Sequence, residues 1–260
     1  MMPRRSRVMR AVLPVAVLCL LALWGGGAAG GALIQVGNLV LVADGGFRPE
    51  HLPRHAYAPI DFRGHADIHS VNGGTPPELT EAIIDFDRDG RLQTRGLPVC
   101  SVAKIAHVRT PVARHRCESS VVGTGTIAML LFLEGGGSVR AHAPLTLFNG
   151  PRSGGDLSVL AHTHIASPVD QTFVVPVAIE PRLGEYRYRA RFDVPSLAGG
   201  GVLTHVDVSV GRRYKVGGHE LSYASARCSD GIFRTHGHFT FSDGTIIDGA
   251  IEKPCVPDSP

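Results

Sequence analysis

Aromatic residues and arginines alternate through Tyr186-Arg187-Tyr188-Arg189-Ala190-Arg191-Phe192. Successive side chains of a β-strand point to opposite faces, so the aromatic residues and Ala190 share one face and the three arginines share the other. This pattern predicts a strand that packs one face on a core and exposes the other to water. The row of arginines is also the feature of the sequence that favours an anionic partner.

Further strands are indicated on both sides of this stretch. Phe239–Ile247 places Asp243-Gly244 between two apolar runs, which is the strongest short signal for a β-hairpin. The seven apolar residues Ile127–Leu133 predict a strand that is buried on both faces. Near the start of the chain, Leu33–Ala43 is predicted as one strand that ends at Asp44-Gly45-Gly46.

The composition favours many short strands, since 32 Gly and 18 Pro residues among 260 disfavour long helices. The best helix candidate, Pro111–Arg116, is short. We predict an all-β fold, a single antiparallel β-sandwich or flattened barrel of about a dozen short strands, with one short helix between Cys100 and Cys117. It would form one domain over residues 32–260. A division near residues 149–156 into two smaller sandwiches is the alternative.

Residues 1–31 are predicted to be a secretory signal peptide. A basic start is followed by the apolar run Ala11–Trp24 and by small residues at positions 25–31. This is the order of charged, apolar and cleavable regions in such a leader. The apolar run has 14 residues, fewer than the roughly 20 that a membrane span needs. We expect a secreted or cell-envelope protein without a membrane span after cleavage, the alternative being an uncleaved anchor.

Removing the leader reverses the formal charge of the chain. The leader holds four of the 26 basic residues and no acidic residue, so 22 basic residues remain against 23 acidic ones. The four are Arg4, Arg5, Arg7 and Arg10. Nucleic-acid binding depends on clustered Lys and Arg that replace counterions. A mature chain with a formal charge of −1 therefore gives no reason to expect a nucleic acid as partner.

Four cysteines remain after the leader, namely Cys100, Cys117, Cys228 and Cys255. An even number in an exported chain predicts disulfides, for which three connectivities are possible. Closing a short segment requires the least prior organisation, so we favour Cys100 with Cys117 and Cys228 with Cys255. The spacing C-x-x-C, which would favour a zinc site, does not occur in the sequence.

Two pairs among the 13 histidines lie two residues apart, His162 with His164 and His236 with His238. Side chains two apart on a strand point to the same face, where both rings can bind one Zn²⁺. If the two strands were neighbours, the four rings could form one metal site. The alternative is that these histidines lie on the surface or are held by hydrogen bonds.

Asp85, Asp87, Asp89 and Gly90 match the opening D-x-D-x-D-G of a calcium loop. Alternate carboxylates can fold round the ion in such a loop, and the glycine permits a sharp turn. The twelfth position is Gly96 rather than the bidentate Glu, which argues against an ordinary EF-hand. Two interpretations remain, a weak Ca²⁺ loop and a hairpin turn with solvated acids. No cofactor is expected beyond this Ca²⁺ or the Zn²⁺ considered above.

Several stretches of the sequence resemble an uncharacterised family of exported, disulfide-containing, β-rich proteins of high-GC bacteria. They are Val36–Leu41, Asp44–Phe47, Gly96–Pro98 with Cys100, Phe148–Pro151, and Cys228–Gly231 through Asp248-Gly249. The resemblance spans nearly the whole mature chain. It implies export and a β-rich architecture, and it offers no catalytic residues to carry over.

The sequence favours a non-catalytic exported protein that binds an unidentified ligand or has a structural role in the cell envelope or outside the cell. No G-x-S-x-G elbow and no phosphate-binding glycine loop occurs in it. The alternative is a secreted hydrolase, either metal-assisted or directed at glycans. An enzyme should have a concave pocket where titratable groups converge, whereas a binding protein should lack that convergence.

Overall fold

The computed structural model describes residues 31–197 and 199–258. The signal peptide predicted at residues 1–31 lies outside this part of the chain except for its last residue. The helical elements are α1 Val102–Ile105, α2 Thr110–Arg116 and a 3-10 turn, Glu118–Ser120. The strands are β1 Ala32–Val36, β2 Leu39–Arg48, β3 His51–Leu52, β4 Ala58–Pro59, β5 Asp61–Ser70, β6 Leu79–Asp87, β7 Gly90–Leu92, β8 Val121–Phe132, β9 Ser138–Asn149, β10 Leu157–Ile165, β11 Gln171–Pro181, β12 Tyr186–Asp193, β13 Gly201–Val210, β14 Arg213–Val216, β15 His219–Ser222, β16 Ala224–Ala226, β17 Ile232–Phe241, β18 Ile246–Pro254 and β19 Val256–Pro257.

Twelve strands form one antiparallel sheet in the order β1-β2-β5-β13-β8-β9-β10-β11-β12-β6-β17-β18. The sheet curls until its two edge strands, β1 and β18, lie against each other, so it is a nearly closed barrel. No backbone ladder joins these two edges among the described residues, and we call the junction the seam. The predicted all-β fold of about a dozen strands is confirmed.

Alternation along each strand separates an apolar interior from a polar exterior. In β12 the side chains of Tyr188, Ala190 and Phe192 point into the barrel, and Arg189 and Arg191 pair with exterior carboxylates, as the sequence predicts. The prediction is wrong for Tyr186, because the register shifts between Tyr186 and Tyr188 and the Tyr186 ring lies 6.5 Å from that of His236, outside the barrel. The same division holds in β17, where Phe239 faces inward and His238 contacts the exterior residue Asp248. The barrel therefore has its hydrophobic core inside.

One end of the barrel is closed by a small sheet made of β4, β16 and β7, which we call the cap. Its apolar side chains, including Leu92 and Ala224, pack against inward residues of the barrel strands such as Phe47 and Ile179. The connection from β12 to β13 crosses the opposite end, because β8 to β11 lie between these two strands in the sheet. Its residues Val194–Leu197, here called the strap, pack on the barrel interior.

Both predicted disulfides are confirmed. Cys100–Cys117 closes a segment that contains α1 and α2, and this segment packs on the outside of the barrel over Phe148 and Leu160. Helix α2 lies at the predicted position, and α1 adds one helical turn before it. Cys228–Cys255 joins the open ends of the β17–β18 hairpin, next to the cap. None of the helices in the described part of the chain has the length and apolar character to span a membrane.

The prediction of one strand over Leu33–Ala43 is wrong. Gly37, with φ of 58°, forms a turn that separates β1 from β2, and β2 continues to Arg48 through the glycines that were expected to end it. Gly45 is paired with Gly64 of β5, and a Cβ on Gly45 would lie 3.2 Å from the Arg63 carbonyl oxygen. These glycines therefore permit close backbone approach within a strand instead of forming a turn.

Residues 149–156, considered above as a boundary between two sandwiches, connect β9 to β10. These two strands pair directly with each other, with Val159 opposite Asn149. The stretch is therefore the connection of a hairpin within the twelve-stranded sheet.

We expect replacement of both Cys100 and Cys117 by Ala to lower the free energy of unfolding by about 3 kcal/mol, because the unfolded chain loses a constraint on its entropy. For a domain of this size that corresponds to a Tm lower by about 6–12 °C. Thermal unfolding followed by circular dichroism would measure it. An unchanged Tm would contradict the stabilising role of this bridge, and thiol titration of the unfolded wild-type protein would verify that the bridge had formed.

Candidate ligand-binding cavity

The interior of the barrel contains a cavity of about 480 Å³. Its walls come from nearly all strands of the sheet, and representative lining side chains are Phe62, Ile68, Met129, Phe173, Val175 and Phe192. The cavity extends from the inner side of the cap to the strap, whose residues Pro195 and Leu197 contribute to the lining. A volume of this size lies within the range of roughly 300–1,000 Å³ that small-molecule sites occupy.

The number of strands explains why space remains inside. Barrel diameter grows with strand number, and about eight strands give an interior that side chains can just fill. With twelve strands the inward side chains cannot meet across the whole interior. Small residues on the inner face, among them Ala161 on β10 and Ala82 on β6, leave further room. The cavity is therefore a consequence of closure at this strand number.

An ion pair closes the seam beside the cavity. Lys253 of β18 places its Nζ 2.6 Å from Oδ1 of Asp44 on β2, and both residues contribute to the cavity lining. Burial alone would raise the pKa of Asp44, but hydrogen bonds from Lys253 and from the Gly45 backbone N–H outweigh it and the pKa lies below its usual value. The pair is thus held in its charged form at neutral pH.

Elsewhere along the seam, β1 and β18 meet through an apolar contact. Ile34 of β1 lies directly over Gly249 of β18, where a Cβ would collide with the Ile34 Cδ1 atom. Glycine at position 249 therefore allows the two edge strands to approach. Side chains, rather than a backbone ladder, hold this side of the barrel together.

The structure does not bring the two histidine pairs together. His162 and His164 lie on β10, His236 and His238 lie on β17, and three strands of the sheet separate them. Neighbouring strands lie about 4.8 Å apart, so the pairs are roughly 19 Å apart along the sheet. Among the described residues no group of three or more His, Cys, Asp or Glu side chains is arranged to hold a metal ion. The condition for a four-histidine site, that the strands be neighbours, is not met.

Each pair instead has local partners. His162 is fully buried under the α1–α2 segment, with its Nε2 3.0 Å from the Val108 carbonyl oxygen. Burial lowers the pKa of His162, so the ring is neutral at neutral pH. The Nδ1 of His164 lies 2.9 Å from Thr172 Oγ1. On β17, His238 Nδ1 lies 3.0 Å from Asp248 Oδ2, and His236 is 3.5 Å from the same carboxylate.

The carboxylates of the D-x-D-x-D-G stretch are all buried, and each is held by donors from another part of the chain. Asp85 accepts two hydrogen bonds from Arg189 of β12, at 2.8 and 2.7 Å. Asp87 accepts from the backbone N–H of Arg234 on β17, at 2.8 Å. They thus attach β6 to both of its neighbours in the sheet.

Asp89, which is 1 % exposed, attaches the segment around Cys228 to the β6–β7 turn. Its Oδ1 accepts from Arg227 Nε and its Oδ2 from the Ser229 backbone N–H, both at 2.7 Å. Burial would raise the pKa of Asp89, but these hydrogen bonds dominate and lower it. Hydrogen bonds from Arg189 likewise lower the pKa of Asp85, whereas burial raises that of Asp87. The three carboxylates therefore act as anchors within the fold.

The arginine row on β12 divides between two environments. Arg189 is neutralised by Asp85, and Arg191 contacts Glu81 at 3.0 Å and Glu180 at 3.7 Å. Arg187 donates from Nε to the Arg88 carbonyl oxygen and lies over the ring of Tyr57. The three arginines therefore do not form a continuous positive surface for an anionic partner.

No family model, curated protein or solved structure matches this chain. The resemblance to exported β-rich proteins of high-GC bacteria consequently stays a prediction.

Sequence reasoning did not find the cavity. The alternating pattern identified which side chains point inward, for example Tyr188 and Phe192, but it carries no information on how far the opposite wall lies. The small inward residues Ala82 and Ala161 are the available signal, and they have meaning only after the strands are placed round a barrel.

We expect Asp89→Asn to lower the free energy of unfolding at pH 7 by about 2 kcal/mol, because two charge-assisted hydrogen bonds are lost in a buried site. The lowered pKa means that this contribution is complete above the ordinary carboxyl pKa of about 3.9 and disappears as the pH falls through the lower folded value. Urea unfolding would measure it. Asp193→Asn, at an exposed position on β12, is the matched control, and an equal effect of both substitutions would refute the anchoring role.

We also expect millimolar Ca²⁺ to leave the Tm unchanged. Calcium takes six to eight oxygen ligands, and Asp85, Asp87 and Asp89 would have to release the donors that hold them before they could converge on an ion. Differential scanning fluorimetry with and without Ca²⁺ gives the measurement, with Mg²⁺ as the ionic control. A rise in Tm specific to Ca²⁺ would restore the calcium-loop interpretation.

Proposed function

We propose that this protein is an exported binding protein that holds an apolar small molecule inside its barrel. The observation that carries the proposal is the cavity of about 480 Å³ with an almost entirely apolar lining. Apolar surface in contact with water is unfavourable, and an apolar ligand that fills such a space removes that surface from water. An interior of this kind is suited to binding and sequestering a compound of low solubility.

Export is part of the proposal and rests on two features. The two disulfides indicate an oxidising environment outside the cytoplasm. The leader at residues 1–31 has the order of regions that a secretory signal peptide requires. A carrier or sequestering protein of the cell envelope or the extracellular space would meet poorly soluble compounds there.

The distribution of charge supports binding rather than hydrolysis. The cavity is concave, as an active site would be, but among its charged lining residues Asp44 is neutralised by Lys253 and Asp87 is held by the Arg234 backbone N–H. The other titratable lining residues, His65, Glu78 and Arg91, come from separate parts of the chain. The remaining lining is dominated by aliphatic and aromatic side chains such as Leu145 and Phe173. Such walls provide contact area and leave little to activate a water molecule.

The ligand reaches the cavity through the strap end or the seam in this proposal. The cap end is filled by packed side chains, including Tyr223, which is almost completely buried and whose pKa is raised by that burial. The strap is a single crossing segment, in which Val194 N–H donates a hydrogen bond to the Thr80 carbonyl oxygen at 2.9 Å and Val194 and Leu197 pack on the barrel interior.

We expect the affinity for straight-chain alcohols to rise about fourfold with each added methylene until the cavity is full. Each buried methylene contributes about 0.8 kcal/mol, which corresponds to that factor in the dissociation constant. The measurement is displacement of an uncharged fluorescent probe, N-phenyl-1-naphthylamine, by alcohols of increasing length. Uncharged ligands keep the result independent of the surface charges of the protein.

A pair of variants locates the binding. Ala161→Phe fills the cavity from β10 and should abolish probe binding, while Ala250→Phe makes the same change on the exposed outer face of β18 and should leave it intact. Circular dichroism verifies that both variants fold. Probe binding that survives Ala161→Phe, or affinity independent of chain length, would refute an interior site.

A further inference from the structure

Three arginines surround the ring of Tyr57 on the outer side of the cap. The guanidinium carbons of Arg91, Arg187 and Arg227 lie 5.4, 5.6 and 5.4 Å from the ring centroid. Each distance is within the range of a cation–π interaction. Because an aromatic ring has only two faces, at least two of the three cations share one face.

The three arginines come from separate elements. Arg91 is the exposed central residue of β7, Arg187 lies on the outer face of β12, and Arg227 directly follows β16. Tyr57 directly precedes β4. The cluster therefore exists only because the cap is assembled on the barrel.

The cluster carries more positive charge than the protein neutralises. Arg227 is paired with Asp89 at 2.7 Å, whereas among the described residues Arg91 and Arg187 form no ion pair with a carboxylate. An arginine side chain does not deprotonate in proteins, so three cations and one carboxylate leave a formal charge of +2. Tyr57 stabilises the guanidinium groups through its ring but contributes no counter-charge.

Several other arginines on the outer face of the barrel are neutralised by carboxylates. Arg189 is bound to Asp85, Arg191 to Glu81, and Arg234 to Asp230. The local charge of +2 at Tyr57 also contrasts with the formal charge of −1 of the chain without its leader. At Tyr57, three guanidinium groups converge on one ring, and two of them have no carboxylate partner among the described residues, so an anion from outside would complete the charge balance there.

We propose that Tyr57, Arg91, Arg187 and Arg227 form a binding site for a terminal phosphate group, either as free phosphate or as the monoester head group of a lipid. The planar guanidinium fork matches the geometry of phosphate oxygens, and several forks can bind one tetrahedral group. The dianionic form of a phosphate carries the charge that the cluster lacks. This site would take a ligand of different chemistry from the proposed apolar one, although Arg91, which is exposed, also contributes to the cavity lining.

The test is isothermal titration of the full mature chain with inorganic phosphate at low salt. The double variant Arg91→Gln with Arg187→Gln should bind phosphate at least about tenfold more weakly, since charge-assisted hydrogen bonds are lost. The matched control removes the same charge from exposed arginines away from the cluster, Arg114→Gln with Arg140→Gln, and should bind as the wild type does. Equal weakening in both double variants, or none in either, would overturn the site.

A second arm separates the two sources of phosphate. Vesicles of phosphatidylcholine with phosphatidic acid are compared with vesicles of phosphatidylcholine alone in a flotation assay. Binding to the phosphatidic acid vesicles that the Arg91/Arg187 variant loses supports a lipid head group, and phosphate binding without vesicle binding supports a free phosphate compound. If the wild type binds neither, the proposal is wrong. Tyr57→Leu should weaken binding in whichever arm responds, with the Tm confirming that the variant is folded.

Discussion

Closure of the twelve-stranded sheet requires every strand to keep its apolar side chains on the same side. Alternation in β12, β5 and β17 meets this condition, so one continuous apolar surface forms inside and one polar surface outside. A shift of one residue in the register of any strand would exchange the two faces. The core, the cavity and the charged exterior all follow from this single condition.

Buried carboxylates reinforce the arrangement at the end where the sheet receives its cap. Asp85 joins β6 to β12, Asp87 joins β6 to β17, and Asp89 holds the segment that leads to Cys228. The neighbouring disulfide Cys228–Cys255 fixes the same region covalently. This end of the barrel is therefore held by buried hydrogen bonds and by a covalent bond, whereas the opposite end is crossed by the strap.

The two proposed sites would bind their ligands through different interactions. The cavity offers mainly apolar contact area, and Asp44 and Lys253 neutralise each other where they line it. The Tyr57 cluster offers charge and hydrogen-bond donors on the outer side of the cap. Occupation of the first is governed by the size and apolarity of the ligand, and occupation of the second by ionic strength.

Local properties of the chain were predictable from residue order. Side-chain alternation identified the faces of β12 and β17, and segment length favoured the correct cysteine pairs. The Leu33–Ala43 strand was misjudged because a glycine can form a turn, as Gly37 does, or permit close strand approach, as Gly45 does. Other features depend on contacts between residues distant in sequence. They are the strand order, the separation of the histidine pairs, the hydrogen bonds to the carboxylates of Asp85, Asp87 and Asp89, and the cavity. Periodicity describes only neighbours along the chain, so these features were decided when the sheet closed.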